Sequence, residues 1–107
     1  MPMIDALDNL PEIQKAVEAD LYGQLIEMKG DLDGEPIGAL VSYMNAHLDV
    51  AGVNLGLGHT RSMQANGQEV GLLSFVYGET IVSVFLGPNQ SPQQIRARVY
   101  ETLGGNG

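Results

Sequence analysis

The longest periodic run of apolar residues, Pro36 to Gly58, predicts an amphipathic helix with two apolar faces. A helix that covers one sheet in a monomer needs only one apolar face, so the second face indicates a second surface to pack against. The face with the larger side chains consists of Ile37, Leu40, Val41, Met44, Leu48, Ala51 and Leu55. The opposite face consists of Ala39, Tyr43, Ala46, Val50, Val53 and Leu57.

Turn and cap residues predict where the short N-terminal helix and the long helix begin and end. Met3–Leu10 has apolar residues at helical spacing and predicts a short helix, stopped by Pro11. Acidic residues before Pro36, with proline at the first helical position, predict the start of the long helix. Its end is predicted at the glycines Gly52, Gly56 and Gly58.

The segment Glu12–Gly30 is compatible with two structures. Its Glu, Gln, Lys, Ala and Leu content favours a helix. Alternatively, Ile13–Ala19 and Gln24–Lys29 are two strands of a hairpin, with Gly23 at a turn position that requires positive φ. Periodicity does not choose between the two.

The chain from His59 to Pro88 predicts three antiparallel strands, at His59–Ala65, Gln68–Tyr77 and Thr80–Leu86. Asn66-Gly67 predicts a type I′ hairpin turn, in which both residues have positive φ, and Gly78-Glu79 predicts a second tight turn.

The last strand and the last helix have clear buried faces. Both faces of Thr80–Leu86 are largely apolar, which predicts a central strand covered on both sides. Ser91 and Pro92 predict a capped helix start, with Gln94 reaching back to the cap. The buried stripe of that helix is predicted to be Ile95, Val99 and Leu103, and residues 104–107 are predicted to form a loose tail.

Composition restricts the function. A chain of 107 residues has room for one domain, and no apolar run is long enough to span a membrane. The N-terminus has no signal-peptide pattern, so the expected location is the cytoplasm. Cysteine is absent, which excludes disulfides and thiolate metal sites. The net charge of −8, with ten of 13 acids at or before Asp49, disfavours nucleic acid and anionic membranes. The acidic half would attract a basic protein partner, but the charge pattern favours the alternative, a role in solubility alone.

No catalytic, cofactor or metal site is predicted. The two histidines, His47 and His59, lack a third ligand at metal-binding spacing, and Asp31–Gly34 is only the opening of a calcium-loop pattern. Gly56-Leu57-Gly58 closes a helix rather than opening one, so it is not a dinucleotide fingerprint. Arg61, alone at the start of a predicted edge strand, is a candidate partner contact or an edge charge that prevents aggregation.

Three stretches of the chain resemble the roadblock family of dynein light chains and bacterial regulators. Ala16–Gly30 is similar to the first hairpin of that family, and Leu55-Gly56-Leu57-Gly58 to the end of its long helix. Gly71–Leu86 and the helix that follows are similar to its last hairpin and C-terminal helix. The resemblance spans Ile13 to Leu103 and favours the hairpin for residues 12–30, although the first helix is shorter here than in many relatives.

The resemblance implies an α+β, profilin-like domain. It has a five-stranded antiparallel sheet, with the long helix on one face and the terminal helices on the other. It further implies a homodimer, or a similar heterodimer, in which long helices pair and middle strands join the two sheets. Relatives are non-enzymatic platforms that bind Ras-like small GTPases, and some bacterial ones stimulate GTP hydrolysis.

The sequence therefore predicts a homodimeric scaffold that docks or regulates a Ras-like small GTPase or a signalling complex. In this interpretation the larger apolar face packs on the sheet and the other face packs on a second copy. The predicted interface is Ala39, Tyr43, Ala46, Val50, Val53, Leu57 and Arg61. Two other function classes remain: a small-ligand sensor, disfavoured by the scarcity of aromatic residues, and an enzyme whose site forms across a dimer.

Overall fold

A computed structural model describes residues 3–104 of the chain. Of the predicted C-terminal tail, residues 105–107 lie outside the described part. The chain begins with a 3₁₀ helix, Met3–Asn9. The strands are β1 (Lys15–Asp20), β2 (Leu25–Lys29), β3 (Ser62–Asn66), β4 (Gly71–Tyr77) and β5 (Thr80–Leu86). The α-helices are α1 (Gly34–Asn54) and α2 (Pro92–Leu103).

The five strands form one antiparallel sheet in the order β2-β1-β5-β4-β3. The order confirms the hairpin in residues 12–30 and the central place of β5. Gly78, with φ of 62°, and Glu79 form the two-residue turn between β4 and β5. Pairing of Tyr77 with Thr80 fixes the register at that turn. The two strands left at the edges of the sheet are β2 and β3.

The main core lies between the sheet and the terminal helices. Alternate residues of β4 and β5 enter it, which matches the predicted alternation in β5. The predicted α2 stripe is confirmed, with Ile95 and Val99 buried and Leu103 packed at the margin. The fully buried side chains of this core include Ile4, Leu7, Ile13, Leu73, Phe75, Val82, Val84 and Val99.

Two charged side chains fasten the 3₁₀ helix to the sheet. Glu18, only 2% exposed, accepts a hydrogen bond from the backbone N–H of Ile4 at 3.2 Å. The Lys29 ammonium donates to the carbonyl oxygens of Leu7 and Leu10, at 2.8 and 3.3 Å. These bonds satisfy backbone groups at both ends of a helix too short to be stable alone.

The turn between β1 and β2 is held by Asp20. Its Oδ1 accepts hydrogen bonds from the N–H groups of Tyr22 and Gln24, both at 2.9 Å, and its carbonyl oxygen accepts one from Gly23. Gly23 has φ of 93°, as predicted, and lies against α1. A Cβ at that position would meet the Ala39 Cα at 3.1 Å. Both the backbone conformation and the space require glycine there.

Gly23→Ala is expected to lower the free energy of unfolding by about 2 kcal/mol, because left-handed strain and the contact with Ala39 add together. Gly78→Ala is the matched control, since Gly78 also has positive φ but nothing lies within 4 Å of its added Cβ. The control is expected to lose about 1 kcal/mol. Equal losses in urea unfolding would show that the contact with Ala39 contributes nothing.

The prediction of which face of α1 packs on the sheet was wrong for most residues. Among the seven residues of the larger face only Val41 is buried; Ile37 and Met44 are half-buried, and Leu40, Leu48, Ala51 and Leu55 are exposed. The buried residues of α1 are instead Gly34, Gly38, Val41, Ser42 and Asn45.

Close approach of the helix to β1 explains this rotation. A Cβ on Gly38 would lie 3.1 Å from the Cβ of Ala19, so a larger residue would not fit without a shift. The hydroxyl of Ser42 donates to the carbonyl oxygen of Asp20 at 2.7 Å. Small residues and one hydrogen bond therefore set the orientation of α1, and the larger apolar side chains turn away from the sheet.

Two predicted boundaries also need correction. The helix begins at Gly34, so Pro36 is its third residue rather than its first, and it ends at Asn54 rather than at the glycines. Asn66 and Gly67 do not form a type I′ turn, because no non-glycine residue between Met3 and Gly104 has positive φ and Gly67 is not among the glycines that do. The β3–β4 connection is longer, closed by the N–H of Gly67 donating to the Val70 carbonyl at 2.9 Å.

The start of α2 has the predicted N-cap, but within residues 3–104 the Gln94 side chain makes no hydrogen bond back to Ser91. Ser91 is the N-cap, and its hydroxyl accepts a hydrogen bond from the N–H of Gln94 at 3.4 Å, with Pro92 as the first helical residue. Gly104, with φ of 109°, ends the helix. This geometry places α2 across the same sheet face as the 3₁₀ helix and leaves the other face to α1.

Candidate interaction surface

Many of the large apolar side chains that are exposed in the described residues lie on α1 or directly after it. All seven residues of the predicted interface are exposed in the single chain, with Tyr43 at 63% and Val50 at 62%. No residue of α1 after Asn45 is buried. Leu40, Leu48 and Leu55, predicted to face the sheet, are exposed as well and enlarge the apolar surface. We use the name α1 face for the exposed apolar residues of α1 and of the segment just after it, which are Ala39, Leu40, Tyr43, Ala46, Leu48, Val50, Ala51, Val53, Leu55 and Leu57.

The inner side of α1 rests on a small and partly polar contact. Ser42 and Asn45 are both buried there, and Asn45 is 8% exposed. The Asn45 Oδ1 has no hydrogen-bond partner within residues 3–104. In the sheet, the hydroxyls of Ser74 and Ser83 share a hydrogen bond at 2.8 Å. Little apolar area thus holds the C-terminal half of α1 to its own sheet.

The α1–β3 connection is fastened by Asp49, an arrangement that the sequence analysis missed. The Asp49 carboxylate accepts the backbone N–H of Thr60 and contacts the His59 Nδ1, both at 2.7 Å. These two hydrogen bonds, the His59 bond first, hold the pKa of Asp49 below its ordinary value of 3.8. The residues are ten and eleven positions apart, beyond any helical spacing.

The lowered pKa of Asp49 predicts a pH response in this connection. A carboxyl group whose pKa is depressed by folding stabilises the fold above its ordinary pKa, and the contribution is lost as pH falls through the lowered value. The chemical shift of the Thr60 amide proton in NMR spectra is therefore expected to follow the titration of Asp49, with a midpoint below 3.8. In Asp49→Asn that titration should disappear. A midpoint at or above the ordinary value would contradict the two hydrogen bonds.

Arg61 lies beside β3, the strand at the free edge of the sheet. Its carbonyl oxygen accepts the N–H of Val76 at 2.8 Å, and its side chain is exposed. The backbone of Arg61 therefore extends the pairing with β4.

The histidines do not form a metal site in the described structure. His47 packs its ring against Tyr43 in an edge-on contact, with ring centres 4.4 Å apart. His59 is bound to Asp49. Within residues 3–104 no three His, Cys, Asp or Glu side chains are arranged to hold a metal ion. Over the same residues, no helix is both long and apolar enough to cross a bilayer.

The larger depressions lie at loop and helix ends. One of about 490 Å³ lies beside α2, between Glu12 and Arg98, and another of about 450 Å³ lies between Gln14 and Pro88. A third, of about 430 Å³, lies between Gly23 and Glu35. None of these three reaches the C-terminal half of α1.

Comparison with known proteins was informative only at the level of structure. No family model matches the chain, and no curated protein matches its sequence. A solved Roadblock/LC7 domain from Streptomyces avermitilis has a TM-score of 0.76 at 21% identity, covering 94% of this chain and 84% of that one. The chain has the roadblock fold.

Two further solved structures have a similar arrangement of strands and helices. MglB from Myxococcus xanthus has a TM-score of 0.84 at 18% identity, over 94% of this chain and 87% of that chain. Profilin II from Acanthamoeba castellanii has a lower TM-score of 0.68 at 15% identity, over 96% and 90% of the two chains. The predicted α+β, profilin-like architecture of the roadblock type is confirmed. At these low identities, the structural similarity shows the fold alone.

Proposed function

We propose that this roadblock domain forms a homodimer and acts, in the cytoplasm, as a non-enzymatic platform that docks or regulates a Ras-like small GTPase. One observation carries the first part: the α1 face exposes large apolar side chains that its own sheet does not cover. A contiguous exposed apolar surface of this kind is typical of an interface.

The geometry of α1 suits pairing with a second copy. The helix has 21 residues and is about 30 Å long at 1.5 Å per residue. Ala39 and Ala46 alternate with Tyr43 and Val50 along one side of the helix, and their small side chains permit close approach of a second helix. A two-fold interface uses the same surface on both copies, which such a helix can supply. The unpaired edge of β3 lies at the end of the α1–β3 connection and offers a second contact.

The GTPase part of the proposal rests on the resemblance to roadblock proteins, supported by the charge distribution. Ten of the 13 acids precede or include Asp49, which favours a partner with a basic surface. The proposed role is binding rather than chemistry on a substrate, as the resemblance to roadblock proteins implies.

A pull-down with the tagged chain, followed by a GTP hydrolysis assay with and without it, tests the GTPase proposal. Recovery of a Ras-like protein by the wild-type chain, and its absence with the variant Val50→Asp, is the expected result. An increased hydrolysis rate would identify activation, and an unchanged rate would identify docking. A wild-type chain that recovers no GTP-binding protein would contradict the proposal.

A further inference from the structure

A second exposed apolar group lies at the sheet edge opposite β3, on the β1–β2 hairpin. Tyr22, at the tip of the turn, is 97% exposed. Leu21, Ile26 and Met28 are also exposed on the same hairpin. Because β2 and β3 are at opposite edges of the sheet, this surface is separate from the proposed β3 contact.

The turn that presents Tyr22 is fixed in position. The N–H of Tyr22 donates to Asp20 Oδ1, and the N–H of Leu21 donates to the carbonyl oxygen of Glu79 at 3.2 Å. Ser42 ties the carbonyl oxygen of Asp20 to α1. An aromatic side chain on a rigid turn loses little conformational entropy on binding, which makes it suitable as an anchor for a partner.

An open depression of about 430 Å³ lies next to the turn, between the hairpin and the start of α1. It is lined by Gly23, Gln24, Leu25 and Glu35. The lining combines an apolar side chain, an amide and one carboxylate. This chemistry suits a long cationic side chain, which can place its methylene groups on Leu25 and its charge near Glu35.

The charge around the hairpin supports the same ligand. From Ala16 to Glu35, which covers the hairpin and the start of α1, the only basic residue is Lys29, whose ammonium is bonded to the backbone of Leu7 and Leu10. The acids in that range are Glu18, Asp20, Glu27, Asp31, Asp33 and Glu35. A second copy of this chain would bring acids against acids, and nucleic acid would bring phosphates against them.

We propose that the β1–β2 hairpin and the start of α1 form a docking site for a basic, apolar segment of a partner protein. One lysine or arginine of that segment enters the depression beside Glu35, and a neighbouring apolar side chain packs on Leu21 and Tyr22. An arginine on the face of the Tyr22 ring adds a cation–π contact.

The contact is made by side chains rather than by strand addition to β2. The backbone N–H of Met28, which would pair with an added strand, donates to the Glu27 carboxylate at 3.0 Å. This bond occupies a backbone donor at the edge of the sheet, which disfavours pairing with an added strand. It also places another carboxylate beside the hairpin, where a basic segment would meet it.

The test is an NMR titration of the labelled protein with a short synthetic peptide in which arginine alternates with leucine. The expected amide shifts are confined to residues 20–28 and 34–39. Tyr22→Ser and Glu35→Gln should each raise the dissociation constant on the order of tenfold. Glu69→Gln, which removes the same charge from the exposed β3–β4 connection, should leave it unchanged.

The outcomes separate this proposal from the dimer. Tyr22→Ser is expected to keep the mass of the wild type, and a monomeric Val50→Asp chain is expected to keep the peptide site. The proposal is overturned if the peptide does not bind, if shifts spread over the acidic surface without preference for the hairpin, or if Tyr22→Ser and Glu35→Gln bind as the wild type does. Equal binding of a peptide with glutamine in place of arginine would also overturn it.

Discussion

Val50→Asp is expected to convert the dimer into a monomer, raising the dissociation constant about a hundredfold or more. Val50 is exposed in the single chain, so the substitution adds a charge without disturbing the core. In a two-fold interface the same surface is used twice, and the two added carboxylates would be buried near each other. Sedimentation should show a mass near the 11.4 kDa of one chain. Tyr43→Asp, on the same face, should act in the same way.

Tyr22→Asp is the matched control, since it places the same charge on an exposed apolar residue of the β1–β2 turn, outside the α1 face. Its mass should equal that of the wild type. Circular dichroism of the three variants should show that each keeps the native secondary structure. A dimeric Val50→Asp chain would contradict the role of the α1 face.

Phe75→Ala is expected to lower the free energy of unfolding by about 3–5 kcal/mol. Phe75 is fully buried in the core between the sheet and the terminal helices. Its ring packs edge-on against that of Tyr100, with centres 5.2 Å apart. The substitution removes this contact and leaves a cavity between β4 and α2. Chemical unfolding measured in the Val50→Asp background avoids the coupling between folding and association.

The control for this experiment is Tyr22→Ala, which removes an aromatic ring that makes almost no packing contact. Its expected change is within about 0.5 kcal/mol. If Phe75→Ala changed stability by no more than that, the core between the sheet and α2 would not be the main source of stability.

Several elements with strong local signals were predictable from the sequence, although Asn66 and Gly67 did not form the predicted type I′ turn. The alternation in β5, the Gly78-Glu79 turn and the capped start of α2 each depend on residues close together in the chain. The hairpin of residues 15–29 was not, because helix propensity and strand alternation coincide there. The family resemblance was needed to choose between them. Local patterns therefore settled the last half of the fold better than the first.

The orientation of α1 could not be deduced from hydrophobicity alone. The face with the larger side chains is not the one that packs on the sheet, because the side that meets the sheet is selected by close packing at Gly38 against Ala19. The spacing of Gly34 and Gly38, one helical turn apart, was the available signal. The Asp49 bonds to His59 and Thr60 join residues across a loop, and no periodic pattern reports such contacts.

The central claim is that the α1 face is covered by a second copy of the chain. Sedimentation equilibrium of the unmodified protein over a range of micromolar concentrations tests it most directly. The predicted result is a mass of about twice the 11.4 kDa chain, falling towards one chain on dilution. A mass of one chain throughout that range would contradict the claim.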